Sequence, residues 1–89
     1  MDDTQIIWDL PDDPDGNYFH IIEGHDVTVD EVEEVLRNPD SEAAFSRSSG
    51  EPVVFGWTST GKYIIVVYEL ALEDPRTLYP ITAYQVPPP

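Results

Sequence analysis

The chain has 89 residues, 40% of them hydrophobic and 11% aromatic, which suits one modest core and is too little for two. Eighteen Asp and Glu residues against four Lys and Arg give a formal net charge of -14 with histidine neutral. Such a charge repels nucleic acids and anionic lipids, because phosphate binding depends on cations that displace counterions. The lack of cysteine excludes disulfides and thiolate metal sites.

The composition predicts a single domain over residues 1–89, with an ordered core over 5–86 and an extended proline segment over 87–89. The first residues show no basic region followed by an apolar run, and no stretch approaches the ~20 apolar residues that span a bilayer. We therefore expect a cytoplasmic protein that contacts neither membrane nor DNA, and we expect no cofactor and no metal.

The first predicted element is a strand over Gln5–Trp8, followed by an acidic loop rich in turn residues. A short helix is expected over Gly16–Glu23, with Gly24 as its terminator. On a continuous α-helix His20 and His25 would point about 140° apart, so we do not expect them to share a face.

A second helix is predicted from Val29 to about Arg37. Thr28 and Glu31 have the spacing of a capping box, and Val27 and Val32 have the spacing of a hydrophobic staple. Asn38-Pro39 ends the helix, because the residue before a proline is displaced from helical dihedral angles.

From Ser41 onward the pattern is typical of strands. Pro80 cannot donate to a ladder, which predicts an edge strand or a bulge there. The predicted strands are a weak one at Ala43–Ser46, a hairpin of Val53–Trp57 and Lys62–Tyr68, and a last strand over Leu78–Val86.

This order predicts an α+β domain, β-α-α-β-β-β-β, in which an antiparallel sheet carries both short helices on one face. Two short helices cannot cover both sides of the sheet. The other side would then expose large apolar side chains, so we expect an interface there with a copy of this chain or with another protein.

The chain resembles the BrnT-type toxins of bacterial toxin–antitoxin pairs, which belong to the broader RelE-like group. The likeness runs over about 7–84 and depends on the order Trp8-Asp9, Asn17, His25, Glu31-Val32, Gly56-x-Thr58-x-x-Gly61, Val66-Val67-Tyr68 and Ile81-Thr82-Ala83. It implies a ribonuclease that cuts messenger RNA and is neutralised by an antitoxin.

The chain departs from that family pattern where the family is basic. Pro11-Asp12-Asp13-Pro14 replaces a lysine-rich helix, Gly24 replaces a lysine before the histidine, and Tyr84 replaces a basic residue near the end. RNA cleavage needs two groups that transfer protons and cations that stabilise the phosphate.

The candidate catalytic residues follow from that chemistry. His20 and His25 are candidates for acid and base, and Tyr84 occupies the position of the missing basic residue; Arg47, Lys62 and Arg76 are candidates for phosphate stabilisation. Alternatively, His25 hydrogen-bonds to backbone and orients the helix junction, and the cations are solvated surface charges. A zinc site at the two histidines and Asp26, or a weak calcium site at Asp12, Asp13 and Asp15, matches no recognised spacing.

Two functions follow from these observations. The composition favours a protein-interaction module that has lost or weakened RNA cleavage, with an antitoxin-like or basic protein, or a second copy, as its partner. The resemblance favours an active endoribonuclease toxin.

Overall fold

A computed structural model describes residues 3–89; Met1 and Asp2, the first residues of the predicted domain, lie outside the described part. The fold is α+β, as predicted, with one five-stranded sheet in the order β1-β5-β4-β3-β2. Its elements are β1 (Gln5–Ile6), a π-helix (Phe19–Glu23), α1 (Val29–Arg37), β2 (Glu42–Phe45), β3 (Pro52–Trp57), β4 (Tyr63–Glu73) and β5 (Arg76–Gln85).

Helix α1 confirms the prediction from its capping signals. The Thr28 hydroxyl accepts from the Glu31 amide at 3.1 Å, and the Glu31 carboxylate accepts from the Thr28 amide at 2.9 Å. The helix ends at Arg37, and Asn38 is extended, as expected before a proline. Val32, Val35 and Leu36 form its buried stripe.

Both helices contribute to a single core on one face of the sheet. Ile21 of the π-helix and Val32 of α1 belong to the same buried cluster as Ile64, Val66 and Ala83 of the sheet. Since side chains alternate along a strand, the neighbouring residues point to the other side. We call that side the open face; it comprises Val53, Phe55, Trp57, Tyr63, Ile65, Val67, Thr82 and Tyr84.

The open face is largely apolar, as the sequence predicted. Phe55, Tyr63, Ile65 and Val67 are half-buried through mutual packing, and Trp57 is 51% exposed. Neither helix in residues 3–89 is long and apolar enough to cross a membrane.

The wholly antiparallel sheet predicted from the sequence is wrong at one edge. β2, β3, β4 and β5 form an antiparallel meander, but β1 pairs in parallel with β5 through Gln5–Thr77 and Ile6–Leu78. No tight turn joins β1 to β5, so their relative direction is set by tertiary contacts that no local pattern reports.

Pro80 explains why β1 is shorter than predicted. The Ile7 amide donates to the Leu78 carbonyl at 2.9 Å, and the next bond of a parallel ladder would come from the amide of residue 80. Proline has no such hydrogen. Instead, the Asn17 side-chain amide donates to the Ile7 carbonyl at 3.0 Å and to the Pro80 carbonyl at 2.9 Å.

The bulge predicted at Pro80 is confirmed, and Pro80 also lies where β5 is locally an edge, because β1 pairs with β5 only at Thr77 and Leu78. The register changes from Val67–Thr82 to Tyr68–Pro80, which leaves Ile81 without an opposite residue. β4 and β5 also extend beyond their predicted ends to Glu73 and Arg76. The sequence did not indicate this extension because its side chains are mostly exposed.

Candidate functional site

The two histidines lie at the end of the π-helix, beside the part of β5 that β1 leaves unpaired. Their ring centroids are 5.6 Å apart at an interplanar angle of 79°. The expectation that they do not share a face is therefore wrong. It assumed α-helical winding, whereas the wider π turn and the helix end at Gly24 change the direction of His25.

Gly24 is required by this close winding. A Cβ atom at position 24 would lie 2.4 Å from the His20 carbonyl oxygen, which is a collision with backbone. The predicted helix terminator is thus confirmed, and it has a steric reason. The following His25 amide still donates to the Ile21 carbonyl at 3.1 Å, which holds His25 against the helix.

Tyr84 extends the pair into a cluster of three rings. Its centroid lies 5.8 Å from that of His25. His20 and Tyr84 are exposed and His25 is half-buried. We call His20, His25 and Tyr84 the histidine cluster; the sequence selected all three residues but did not predict that they meet.

The cluster brings together two imidazoles and a phenol, which are groups that can donate and accept protons. Its surroundings do not favour a phosphate. A neighbouring cavity of about 420 Å³ is lined by His20, Asn17 and Asp15 among others, and by no Lys or Arg.

Lys62, a candidate phosphate-stabilising residue, binds acidic and carbonyl groups instead. Its ammonium group lies 3.1 Å from the buried Glu31 carboxylate and donates to the Asp26 carbonyl at 2.9 Å. The Thr60 hydroxyl also donates to Glu31. This network connects the start of α1 to the loop between β3 and β4.

The network also sets the ionisation of Glu31. Burial opposes its charge, but hydrogen bonds from Thr60, Lys62 and Thr28 outweigh that effect, so the pKa of Glu31 lies below its usual value of 4.5. The Lys62 charge is therefore compensated within the fold.

The two candidate arginines lie at different places. Arg76 begins β5, eight residues from Tyr84, or about 26 Å along an extended strand. Its guanidinium group lies 3.4 Å from the Thr4 hydroxyl. Arg47 lies in the turn between β2 and β3 and lines a groove of about 340 Å³ that also contains Tyr84. Among the cavities described within residues 3–89, only the one at Arg47 joins any of these three cations to a member of the histidine cluster.

A half-buried pair that the sequence did not predict lies close to His20. The Tyr79 hydroxyl donates to the Asp9 carboxylate at 2.5 Å, and the Asn17 backbone amide donates to the same carboxylate at 2.9 Å. These bonds lower the pKa of Asp9, and the bond to Asp9 raises the pKa of Tyr79 to about 12. The sequence signal was the Trp8-Asp9 step before Asn17, but nothing local pointed to Tyr79.

Metal ligation has little structural basis here. Within residues 3–89, no three His, Asp or Glu side chains are grouped so that they could hold a metal ion.

Comparison of the chain with protein-family models, with curated proteins and with solved structures returned no match.

We predict that Glu31→Gln lowers the free energy of unfolding at pH 7 by about 1–3 kcal/mol, because hydrogen bonds to a buried charge are lost. A carboxyl with a lowered folded-state pKa stabilises the fold above pH 4.5 and loses this contribution as the pH falls through the folded-state value. The variant should therefore lose less stability on acidification than the wild type.

Urea unfolding between pH 3 and pH 7 measures both effects. Asp30→Asn is the matched control, since it removes the same charge from an exposed position in the first turn of α1. Equal acid sensitivity of Glu31→Gln and the wild type would contradict the assigned network.

Proposed function

We propose that this chain is a protein-interaction module of BrnT- and RelE-like ancestry, in which RNA cleavage has been lost or weakened, and that it binds a basic protein through the open face. The observation that carries the proposal is the combination of an apolar sheet face that no helix covers with a net charge of -14. Exposed apolar patches of this kind mark interaction sites, and the charge selects the class of partner.

The distribution of cations supports the loss of RNA cleavage. Lys62 is paired with Glu31, Arg37 with Glu33, and Arg76 contacts Thr4. A cleaving site needs positive charge where the phosphate becomes crowded. The histidine cluster instead adjoins a cavity that is lined by Asp15 and by no Lys or Arg.

Charge also distinguishes between the expected partners. Two copies of the chain would each carry a net charge of -14, and like charges oppose association. A basic protein gains both apolar contact with the open face and electrostatic attraction. We therefore favour a basic partner over a homodimer.

A capture experiment with matched variants tests this proposal. Ile65→Lys places a positive charge in the middle of the open face, so it should reduce retention of a basic partner at least about tenfold. Leu72→Lys makes a similar change at an exposed leucine near the far end of β4 and should leave retention unchanged.

The readout is quantitative mass spectrometry of cross-linked cell extracts at low and high salt. The proposal predicts a basic protein whose capture falls with salt and is lost in Ile65→Lys alone. Equal capture by both variants, or partners that are acidic, would contradict it.

The alternative function, an active endoribonuclease toxin, is favoured by one specific observation. His20, His25 and Tyr84 lie within ring contact, and such a cluster can supply a general acid and a general base. Arg47 is the cation that shares a groove with Tyr84.

Expression in bacteria distinguishes the two functions. The interaction module predicts normal growth and intact messenger RNA for both the wild type and His25→Ala. Growth arrest by the wild type that His25→Ala relieves, with cleaved transcripts on sequencing, would establish the toxin instead. Phe19→Ala, an exposed change on the same π-helix, is the control for altered folding or expression.

A further inference from the structure

One end of the open face carries three aromatic rings in contact. Trp57 and Tyr63 are opposite residues of β3 and β4, and their ring centroids are 5.1 Å apart. Phe55 stacks on Tyr63 at 6.3 Å with an interplanar angle of 18°. We call Phe55, Trp57 and Tyr63 the aromatic platform.

The chain's own proline segment lies beside this platform. The Val86 amide donates to the Tyr63 carbonyl at 3.0 Å, which brings residues 87–89 beside the platform. Pro87 and Pro89 line a cavity of about 300 Å³ together with Phe55 and Tyr63. Pro89 also lines an adjacent cavity of about 380 Å³ that includes Trp57.

The rim of that second cavity is acidic. Asp40 and Glu42 line it, and both side chains are exposed. A ligand that places prolines on the rings would therefore meet carboxylates beside them. Arginine or lysine next to the prolines matches this arrangement, since charge-assisted hydrogen bonds to carboxylates are the strong ones.

From this arrangement we infer that the aromatic platform is a binding site for extended proline-rich segments that carry basic residues, and that Pro87–Pro89 occupies part of it within the chain. Proline-rich segments adopt the polyproline II helix before binding, so they lose little conformational entropy on flat aromatic surfaces. The inference rests on the proposed function, because it specifies the chemistry of the partner that binds the open face.

A second copy is a poorer occupant than a basic partner. Its proline segment follows Tyr84-Gln85-Val86 and brings no cation to Asp40 and Glu42. Its net charge of -14 would also oppose the approach.

Calorimetric titration of the full chain with synthetic peptides tests the inference. The probe is a capped peptide of four Pro-Pro-Arg repeats, and the charge-matched control is a capped peptide of four Gly-Ser-Arg repeats. We expect the proline peptide to bind at least about tenfold more tightly, because the control has the same charge but neither rings to stack on the platform nor a preformed helix.

Variants identify the site. Trp57→Ala should weaken binding of the proline peptide about tenfold or more, as expected for an aromatic at the centre of a binding site. Phe19→Ala removes an exposed aromatic outside the open face and should have no effect. Substitution of all three residues Pro87, Pro88 and Pro89 by serine should strengthen binding several-fold, because it removes an internal competitor. An unchanged amide NMR spectrum away from the platform verifies folding.

The outcomes separate this inference from the proposed function. Equal binding of the two peptides means attraction by charge alone; it overturns proline recognition and leaves an acidic interaction module in place. The proposed function alone would be overturned if no basic partner were captured in a way that Ile65→Lys abolishes, while the proline peptide still bound through Trp57. The inference is overturned by any one of four results: neither peptide binds, Trp57→Ala has no effect, the serine variant does not bind the proline peptide more tightly, or a dimer forms through the proline segment.

Discussion

The arrangement of the molecule depends on one side chain that replaces a missing backbone donor. Pro80 lies at the bulge of β5, but a proline cannot donate to β1, and the Asn17 side chain donates to the Ile7 carbonyl in its place. Because Asn17 lies just before the π-helix, the same bond fixes where that helix meets the sheet. Its side-chain oxygen accepts from the Asp9 amide at 2.9 Å, so every polar atom of this buried amide is used. The position of the histidine cluster follows from this constraint.

A second network determines what the charges can do. Glu31 caps α1, binds Lys62 and accepts from Thr60, so one of four cations is committed to the fold. The histidine cluster is thereby left with proton-transfer groups beside a cavity that no Lys or Arg lines, which suits phosphate chemistry poorly. The larger surface feature is the open face, whose aromatic end lies next to a proline segment and an acidic rim. Both features support the proposed recognition of a basic protein.

Local patterns predicted what local physics determines. The capping box at Thr28, the stop at Pro39, the glycine after the π-helix and the bulge at Pro80 were each predicted from short-range sterics and hydrogen bonding. The parallel pairing of β1 was not, because it depends on Asn17 and on contacts more than 60 residues apart in sequence. The histidine contact was missed because α-helical winding was assumed. The Asp9–Tyr79 pair and the aromatic platform could not be foreseen without the strand register. For Asp9 and Tyr79, no turn joins the two segments, so no local pattern encodes that register.

The most direct test of the central constraint is a double-mutant cycle between Asn17→Ala and Pro80→Val, followed by urea unfolding. Asn17→Ala in the wild type should lower the free energy of unfolding by about 2–4 kcal/mol, because three hydrogen bonds of a buried amide are lost. Valine at position 80 restores a backbone donor toward the Ile7 carbonyl, so the same change should then be milder by at least about 1 kcal/mol. Additivity of the two substitutions within about 0.5 kcal/mol would contradict the claim that Asn17 replaces the missing proline amide.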